Sequence, residues 1–370
     1  MKIIHCADVH LDSRMTANLS KEKARERRNE LLVTFTRMIE YAAEHGVDAV
    51  ILAGDLFDTG HISAAAAKCV QQAIEHHPEI DFYYLRGNHD EDGFTDRWGI
   101  LPPNLKLFSE QWTSYPADDK DQIRISGIEL DEKNCSTFCH SLTLDADKMN
   151  LVVLHGQETD TPSKGNKETI SLRELRNKNI DYLALGHVHA YKMEPLDSRG
   201  IYCYPGCLEG RGFDECGEHG FVLLEIDETK KKLSAEFVPF AGRRLYTIYV
   251  DITGCRSTAD ILSQIRTVCA GESCDESSLI KVVLEGQVDV DCEKNLSYLE
   301  QSLQDEFYYL KIQDKSELKV DYEAFRLDQS LKGEFVRLVQ GDDTLEEQEK
   351  SVIIRYGIQA LAGEELEACN

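Results

Sequence analysis

MKIIHCADVH, residues 1–10, runs a short apolar stretch directly into two side chains able to bind metal, Asp8 and His10. The same arrangement recurs. DAVILA (48–53) leads to Asp55, DFYYL (81–85) to Asn88, LVVL (151–154) to His155, and DYLAL (181–185) to His187 and His189. Such short apolar runs have the length and composition of strands buried on both faces. Helical patterns separate several of them. One begins at about Lys21 behind Ser20 and ends near Gly46, another begins near Ser63, and a short one opens with the capping box Ser171-Leu172-Arg173-Glu174. Alternating strand and helix predicts an α/β sheet, in which ligands gather outside the carboxyl ends of the strands. Every candidate ligand sits at such an end.

Composition narrows the function classes. A chain of 370 residues with 42% hydrophobic and 29% charged content has room for two domains with sizeable cores. MKIIHCADVHLD lacks a long apolar core behind a basic stretch, and no apolar run approaches about 18 residues, so the expected setting is cytoplasmic, with no membrane span. The 12 cysteines show no repeated C-x-x-C pairs and are expected as reduced thiols, Cys6 and Cys207 lying nearest the metal ligands. A formal net charge of −26 argues against a simple nucleic-acid binder, because phosphate backbones are repelled at long range. Any engagement of DNA then needs local cations or a helper subunit.

The donor set mixes carboxylates, an amide oxygen and imidazoles. It suits Mn(II), Fe(II) or Zn(II), with Mg(II) compatible, rather than a thiolate-selected ion. Asp55 is the expected bridge, since one carboxylate can hold two cations about 3.5–4 Å apart. Asp8, His10 and His189 with Asp55 are assigned to one ion, and Asn88, His155 and His187 with Asp55 to the other. His89, inside Gly87-Asn88-His89-Asp90, follows a ligand without being one and is expected to act as general acid toward a leaving oxygen. Asp58 is expected to orient that imidazole. Singly, each fragment is a weak signal: a D-x-H is more often a turn, and alternating histidines also occur as satisfied polar groups. Their joint occurrence behind successive strands carries the reading. His5, inside the first strand, reads instead as a hydrogen-bonded core residue.

Together, D-x-H, G-D-L-F-D, G-N-H-D, H-G and G-H-V-H resemble the motifs of the calcineurin-like metallophosphoesterase superfamily over roughly residues 1–240. The resemblance implies a four-layer α/β/β/α sandwich and a di-metal centre. HCADVHLDS (5–13), AGDLFDTG (53–60), LRGNHD (85–90), DYLALGHVH (181–189) and YPGCLEGRGFDECGEHGF (204–221) look like SbcD-type exonuclease subunits, bacterial relatives of the Mre repair nucleases. The last segment contributes no expected ligand. Thr59 stands where protein phosphatases of the superfamily place an arginine, and Asp58 where archaeal and eukaryotic Mre nucleases tend to place a histidine. The resemblance implies a DNA phosphodiesterase that prefers Mn(II), with 3′ to 5′ exonuclease action on duplex ends and endonuclease action on single strands. It also implies a homodimer with an SbcC-like coiled-coil ATPase as partner. The alternative on the same scaffold is a small-molecule phosphodiesterase or phosphatase.

Residues 1–243 are thus expected as the nuclease domain, 244–318 as a smaller α+β capping domain and 319–370 as a C-terminal helical segment for ATPase docking. A hairpin is expected over 222–240, with Lys230, Lys231 and Lys232 at its tip as a solvated turn or a phosphate contact. The start of the long helix, with Lys21, Lys23, Arg25, Arg27 and Arg28 and more loosely Arg14 and Arg37, is a second basic candidate, read first as an ordinary solvent face. After Ala241–Arg244, LYTIYVDI, a helix from about Thr258 to Cys269, IKVVLEG and a helix near Asn295–Leu303 outline the capping module. Two amphipathic helices follow, one carrying Phe325, Leu331, Phe335, Leu338 and Val339, the other capped by Thr344-Leu345-Glu346-Glu347 and presenting Val352, Ile353, Tyr356 and Leu361.

Overall fold

Strict alternation along the central strands decides the layering. In the computed structural model, Ala49, Ile51 and Ala53 of β2 (Ala49–Ala53) face one apolar cluster while Val50 and Leu52 face another, as the two-residue period of a strand requires. The structure describes residues 1–13, 15, 19–58, 62–90, 94–161, 165–289, 292–319, 325 and 327–362; Arg14 and Thr59 lie outside them. The chain divides into two compact units, Met1–Leu245 and Tyr246–Asn370.

In the first unit one sheet runs β14 (Lys232–Pro239), β13 (Gly220–Asp227), β1 (Lys2–Cys6), β2, β3 (Asp81–Leu85) and β4 (Leu105–Leu107). The other runs β11 (Lys192–Pro195), β12 (Ile201–Tyr204), β10 (Tyr182–Gly186), β7 (Met149–His155), β6 (Ile123–Gly127) and β5 (Thr113–Pro116). Two short strands, β8 (Gln157–Thr159) and β9 (Thr169–Ser171), pair outside both sheets. Ile3, Ile51, Tyr83 and Leu85 of the first sheet pack on Leu151, Val153, Tyr182 and Ala184 of the second. The outer face of the first sheet is covered by α1 (Lys21–Glu44) and α2 (Ala64–His76) through Leu31, Phe35, Met38, Val70 and Ile74. The outer face of the second packs on α3 (Phe138–Ser141) and α4 (Leu172–Leu175) through Phe138, Leu172 and Leu175. This is the expected four-layer α/β/β/α sandwich. His5 joins its sheets: the ring Nδ1 lies 2.8 Å from the Tyr182 hydroxyl, and burial pushes its pKa down to about 3, so it is the neutral core histidine its position suggested.

Helix starts follow the caps. Ser20 accepts from Lys23 N and Ser63 from Ala66 N, satisfying amides that the first helical turn leaves free. The capping box expected at Ser171 does not form. The helix behind it is a single turn, and the buried Ser171 hydroxyl has no hydrogen-bond partner.

The two basic stretches are mainly solvated, with Lys230, Lys231 and Lys232 exposed at the hairpin tip and Lys21 and Arg25 exposed on α1; Arg27 is the exception. β13 runs antiparallel to β1 with Lys2 opposite Glu225, so the Lys230–Lys232 turn lies beyond the amino end of β1. Asp8 lies past the other end, on the order of 20 Å away along the strand. Arg27 faces inward from α1: its side chain is 1% exposed, and its guanidinium donates to Gly210 O (2.7 Å) and Glu209 (3.3 Å) and pairs with Glu30. Arg37 stacks on Phe240, 4.9 Å from the ring centroid.

In the second unit, β15 (Leu245–Asp251), β16 (Leu279–Glu285) and β18 (Tyr309–Asp314) form a three-stranded sheet; α5 (Thr258–Gly271) and α6 (Leu296–Leu303) share its apolar cluster. β17 (Gln287–Asp289) pairs in parallel with β19 (Glu317–Lys319). In the helical pair α7 (Leu331–Gln340) and α8 (Glu347–Ala362), Val336, Val339, Ile354 and Ile358 pack together with Phe325 and Phe335. Of the apolar residues expected along these two amphipathic helices, Leu331, Leu338, Val352, Ile353 and Leu361 are exposed. No helix among the described residues is long and apolar enough to cross a membrane.

Removing one member of a buried ion pair strands the other, a loss of about 3–5 kcal/mol. Arg27→Ala is therefore expected to lower the free energy of urea unfolding by about that amount, whereas Arg25→Ala, exposed on the same helix, leaves the midpoint in place.

Candidate metal centre

Parallel strands bring their carboxyl ends to one edge. β1, β2 and β3 run parallel, as do β7 and β10, with Gly186 opposite His155. Beyond the strand ends the chain stays paired for a few residues: Asp8 N–H donates to Gly54 O, His10 N–H to Asp55 O and Leu11 N–H to Leu56 O, at 2.9–3.0 Å. Four of the candidate ligands then adopt left-handed backbone, with φ of 51° at Asp8, 48° at His10, 51° at Asp55 and 99° at His187. Non-glycine residues avoid this region unless their surroundings impose it. Here the turn aims each side chain back over the strand ends.

Two donor groups result. In the first, Asp8, His10 and His189 converge, with His10 Nε2 and His189 Nε2 3.2 Å apart. In the second, His155 Nε2 lies 3.3 Å from Asp55 Oδ2 and 3.0 Å from Asn88 Oδ1, and His187 Nδ1 lies 3.2 Å from the same amide oxygen. Asp55 Oδ2 also stands 3.9 Å from His10 Nε2, so this carboxylate reaches both groups. The structure thus brings together all seven residues read as ligands, Asp8, His10 and His189 on one side and Asn88, His155 and His187 on the other, with Asp55 between.

The donors fit divalent cations. His189 Nδ1 donates to Glu215 (2.7 Å) and His155 Nδ1 to Ala53 O (2.9 Å), so when either ring is neutral its Nε2 carries the lone pair and faces other donors. Lone pairs so placed repel unless positive charge lies among them. Electrostatics says the same. Burial pushes the Asp8 carboxyl up to about 7, despite the favourable charges of His155 and His189. Burial would also raise Asp55, but the hydrogen bond and charge of His155, the His89 N–H and His10 hold it well below the usual carboxylate range. Burial acts against charge on His155, yet Asp55 and Asp8 bring its pKa up to about 9. In the cation-free chain a proton on His155 compensates Asp55. Asn88, a neutral amide, adds an oxygen without adding charge.

His89 and Asp58 sit beside the first group. His89 donates its amide N–H to Asp55 Oδ1 (2.9 Å), while its ring stays 46% exposed, T-shaped against His10 at 5.2 Å. Asp58 Oδ1 lies 3.1 Å from His10 Nδ1 and 3.7 Å from His89 Nδ1, so its nearer imidazole is that of a candidate ligand.

Three residues that sequence reasoning passed over complete the surroundings. The buried Asp90 carboxylate accepts from the amides of Leu56, Phe57 and Gly87 and so ties the GNHD turn to the GDLFD turn; burial raises its pKa to about 6. Glu215 binds His189, and Arg211 donates to Glu215 at 2.7 Å and approaches Asp58 at 3.4 Å. Both come from the glycine-rich stretch 204–221, whose density of Arg, Glu and His was the available signal. Cys207 is buried there, its Sγ 3.2 Å from His219 Nδ1.

A family model described as calcineurin-like phosphoesterase matches residues 1–191, the span that holds all the candidate ligands. The chain belongs to the calcineurin-like phosphoesterase family. This phosphoesterase is 28% identical over 251 residues to the uncharacterized metallophosphoesterase YhaO of Bacillus subtilis, which covers 64% of the chain and 60% of the relative. It is 25% identical over 281 residues to the SbcD component of the SbcCD nuclease of Staphylococcus epidermidis, covering 66% and 71%. With the DNA double-strand break repair protein Mre11 of Aeropyrum pernix it shares 27% over 273 residues, covering 68% and 64%. The phosphoesterase therefore spans less than two thirds of the length of two of these three relatives.

Close backbone approach makes two glycines obligatory. At Gly54, φ is +92° and a Cβ would overlap the His155 ring; at Gly87 a Cβ would overlap the Asp55 carboxylate. Gly87→Ala is expected to weaken Mn(II) binding by about 10-fold or more in isothermal titration, a loss of the size that follows from disturbing a ligand's support, with far-ultraviolet circular dichroism unchanged.

Proposed function

We propose that this phosphoesterase is a two-metal DNA phosphodiesterase, the nuclease subunit of a complex with a coiled-coil ATPase. In this reading it acts as a 3′ to 5′ exonuclease on duplex ends and an endonuclease on single strands, with Mn(II) preferred. Support comes from the meeting of two donor groups at Asp55, in a chain whose relatives include a named nuclease component and DNA break repair proteins.

Asp8, His10 and His189 would hold one ion and Asn88, His155 and His187 the other, with Asp55 between them. Bound ions supply positive charge to the phosphate oxygens and a water made nucleophilic at neutral pH. The chain's own residues do the remaining work. Asp55, fixed by the His89 amide and by His155, keeps the two groups in register. His89 offers a half-exposed ring with Nδ1 toward Asp58; acting as an imidazolium, it would give the leaving oxygen a proton from its far nitrogen. Asp58, shared among His10, His89 and Arg211, would orient that ring.

Division of labour follows from charge. A chain at −26 repels a phosphate backbone, so the DNA is presented by the partner, and binding by the isolated chain is weak and strongly salt-dependent. The exposed Leu331 and Leu338 of α7 and Val352 and Leu361 of α8 supply the apolar surface this reading gives to the ATPase. A homodimer in the cytoplasm completes it.

Linear duplex DNA and a chromogenic phosphodiester, offered side by side with Mn(II), test the substrate class. Loss of full-length DNA is expected; hydrolysis of the small ester with intact DNA would move the assignment to a small-molecule phosphodiesterase. His89→Ala is expected to retain both ions by isothermal titration while turnover falls by about 10²–10⁴-fold. Loss of an ion from that variant would make His89 a ligand instead.

A further inference from the structure

Arg211 and Glu215 lie beyond the residues that the family model matches, yet they reach the first donor group from behind. Glu215 Oε1 accepts from His189 Nδ1 at 2.7 Å, and its side chain is only 7% exposed. Arg211 holds that carboxylate from its backbone N–H to Oε2 and from Nη2 to Oε1, both at 2.7 Å, and from Nε to both oxygens at 3.2 and 3.4 Å, while Nη1 reaches Asp58 Oδ1 at 3.4 Å. Arg211 Nη2 also comes within 3.1 Å of His189 Nδ1, but a guanidinium only donates, so the proton on Nδ1 goes to Glu215. Asp58 in turn stands 3.1 Å from His10 Nδ1. One arginine therefore spans the two carboxylates that back the two histidines of the same group. The loop itself is pinned by the buried His219, whose Nε2 donates to Glu215 O at 2.8 Å.

Among the described residues, the second donor group has no such arrangement. His155 rests its Nδ1 on the neutral carbonyl of Ala53, and His187 presents Nδ1 itself to Asn88. The group's own oxygen donors differ in the same sense, with the anionic Asp8 in the first and the neutral Asn88 in the second. A carboxylate behind an imidazole fixes the tautomer and makes the opposite nitrogen a stronger donor than a carbonyl does.

We infer that Glu215, clamped by Arg211, is a positioning residue that makes the two cation positions unequal, strengthening the one formed by Asp8, His10 and His189 and leaving the one formed by Asn88, His155 and His187 untouched. The inference rests on the two-cation reading of the centre. Glu215→Gln keeps the size of the side chain and an oxygen for the Nδ1 proton but removes the charge. Arg211→Gln leaves Glu215 in place without its clamp.

Isothermal titration of the full chain with Mn(II), paralleled by the electron paramagnetic resonance signal of free Mn(II), reads both positions without any assay of turnover. The native chain is expected to bind two ions in distinguishable phases. Glu215→Gln is expected to weaken the tighter phase by about 10–100-fold and to leave the other within about twofold, with the far-ultraviolet circular dichroism of the cation-free protein unchanged; Arg211→Gln should weaken the same phase. Equal affinities in the native chain, or a variant that weakens both phases alike or neither, would overturn the inference while the two-cation reading stands. A native chain that binds no Mn(II) would overturn that reading itself. If Glu215→Gln does not fold, the Arg211→Gln titration decides alone by the same criterion.

Discussion

Asp55 is the point on which the centre depends. Its carboxylate approaches His155 through one oxygen, accepts the His89 amide through the other and stands within reach of His10, so both donor groups are located relative to it. That position is set by the strands rather than by the loop. β2 lies at the middle of its sheet between β1 and β3, all parallel, and the backbone bonds from Asp8, His10 and Leu11 to Gly54, Asp55 and Leu56 carry the pairing past the last strand residue. The Asp90 carboxylate then closes the third side by holding Leu56, Phe57 and Gly87 together. Ligands far apart in sequence are thus gathered by backbone hydrogen bonds before any cation is considered.

The same arrangement accumulates negative charge where water is excluded. Asp8 and Asp55 are both buried, and the positive groups near them in the cation-free chain are imidazoles. Buried carboxylates in this state are neutralised by protons or by cations. Cation binding and proton release are therefore one equilibrium at this edge of the molecule, with His155 the most strongly protonated member.

Much of the fold and of the centre was legible from the chain alone, for identifiable reasons. Buried parallel strands are continuous apolar runs, and each of the five ended at a polar residue within three positions, so the strands and the candidate ligands announced one another. Ser20 and Ser63 marked their helices because a hydroxyl accepting a backbone amide is a local event. What escaped reading was non-local. Arg27 looks like its basic neighbours on α1 until Glu209, some 180 residues away, is brought beneath it. The lysines of the hairpin tip could be placed away from the ligands only once the antiparallel register of β13 on β1 was known. Glu215 and Arg211 carry no spacing that ties them to His189; the fold alone makes them neighbours. Ser171, the last residue of β9, does not cap the single-turn helix behind it, and its buried hydroxyl has no partner.

The left-handed backbone at Asp8, His10, Asp55 and His187 constrains how such a centre can diverge. Aspartate and asparagine tolerate that conformation better than bulkier or β-branched residues do, so exchange at the donor positions passes through few intermediates that still fold. Evolutionary drift in cation preference then has its freest path through the outer residues on ordinary backbone. A laboratory search for altered metal use in this scaffold would begin with libraries at those outer positions and keep the donors themselves fixed.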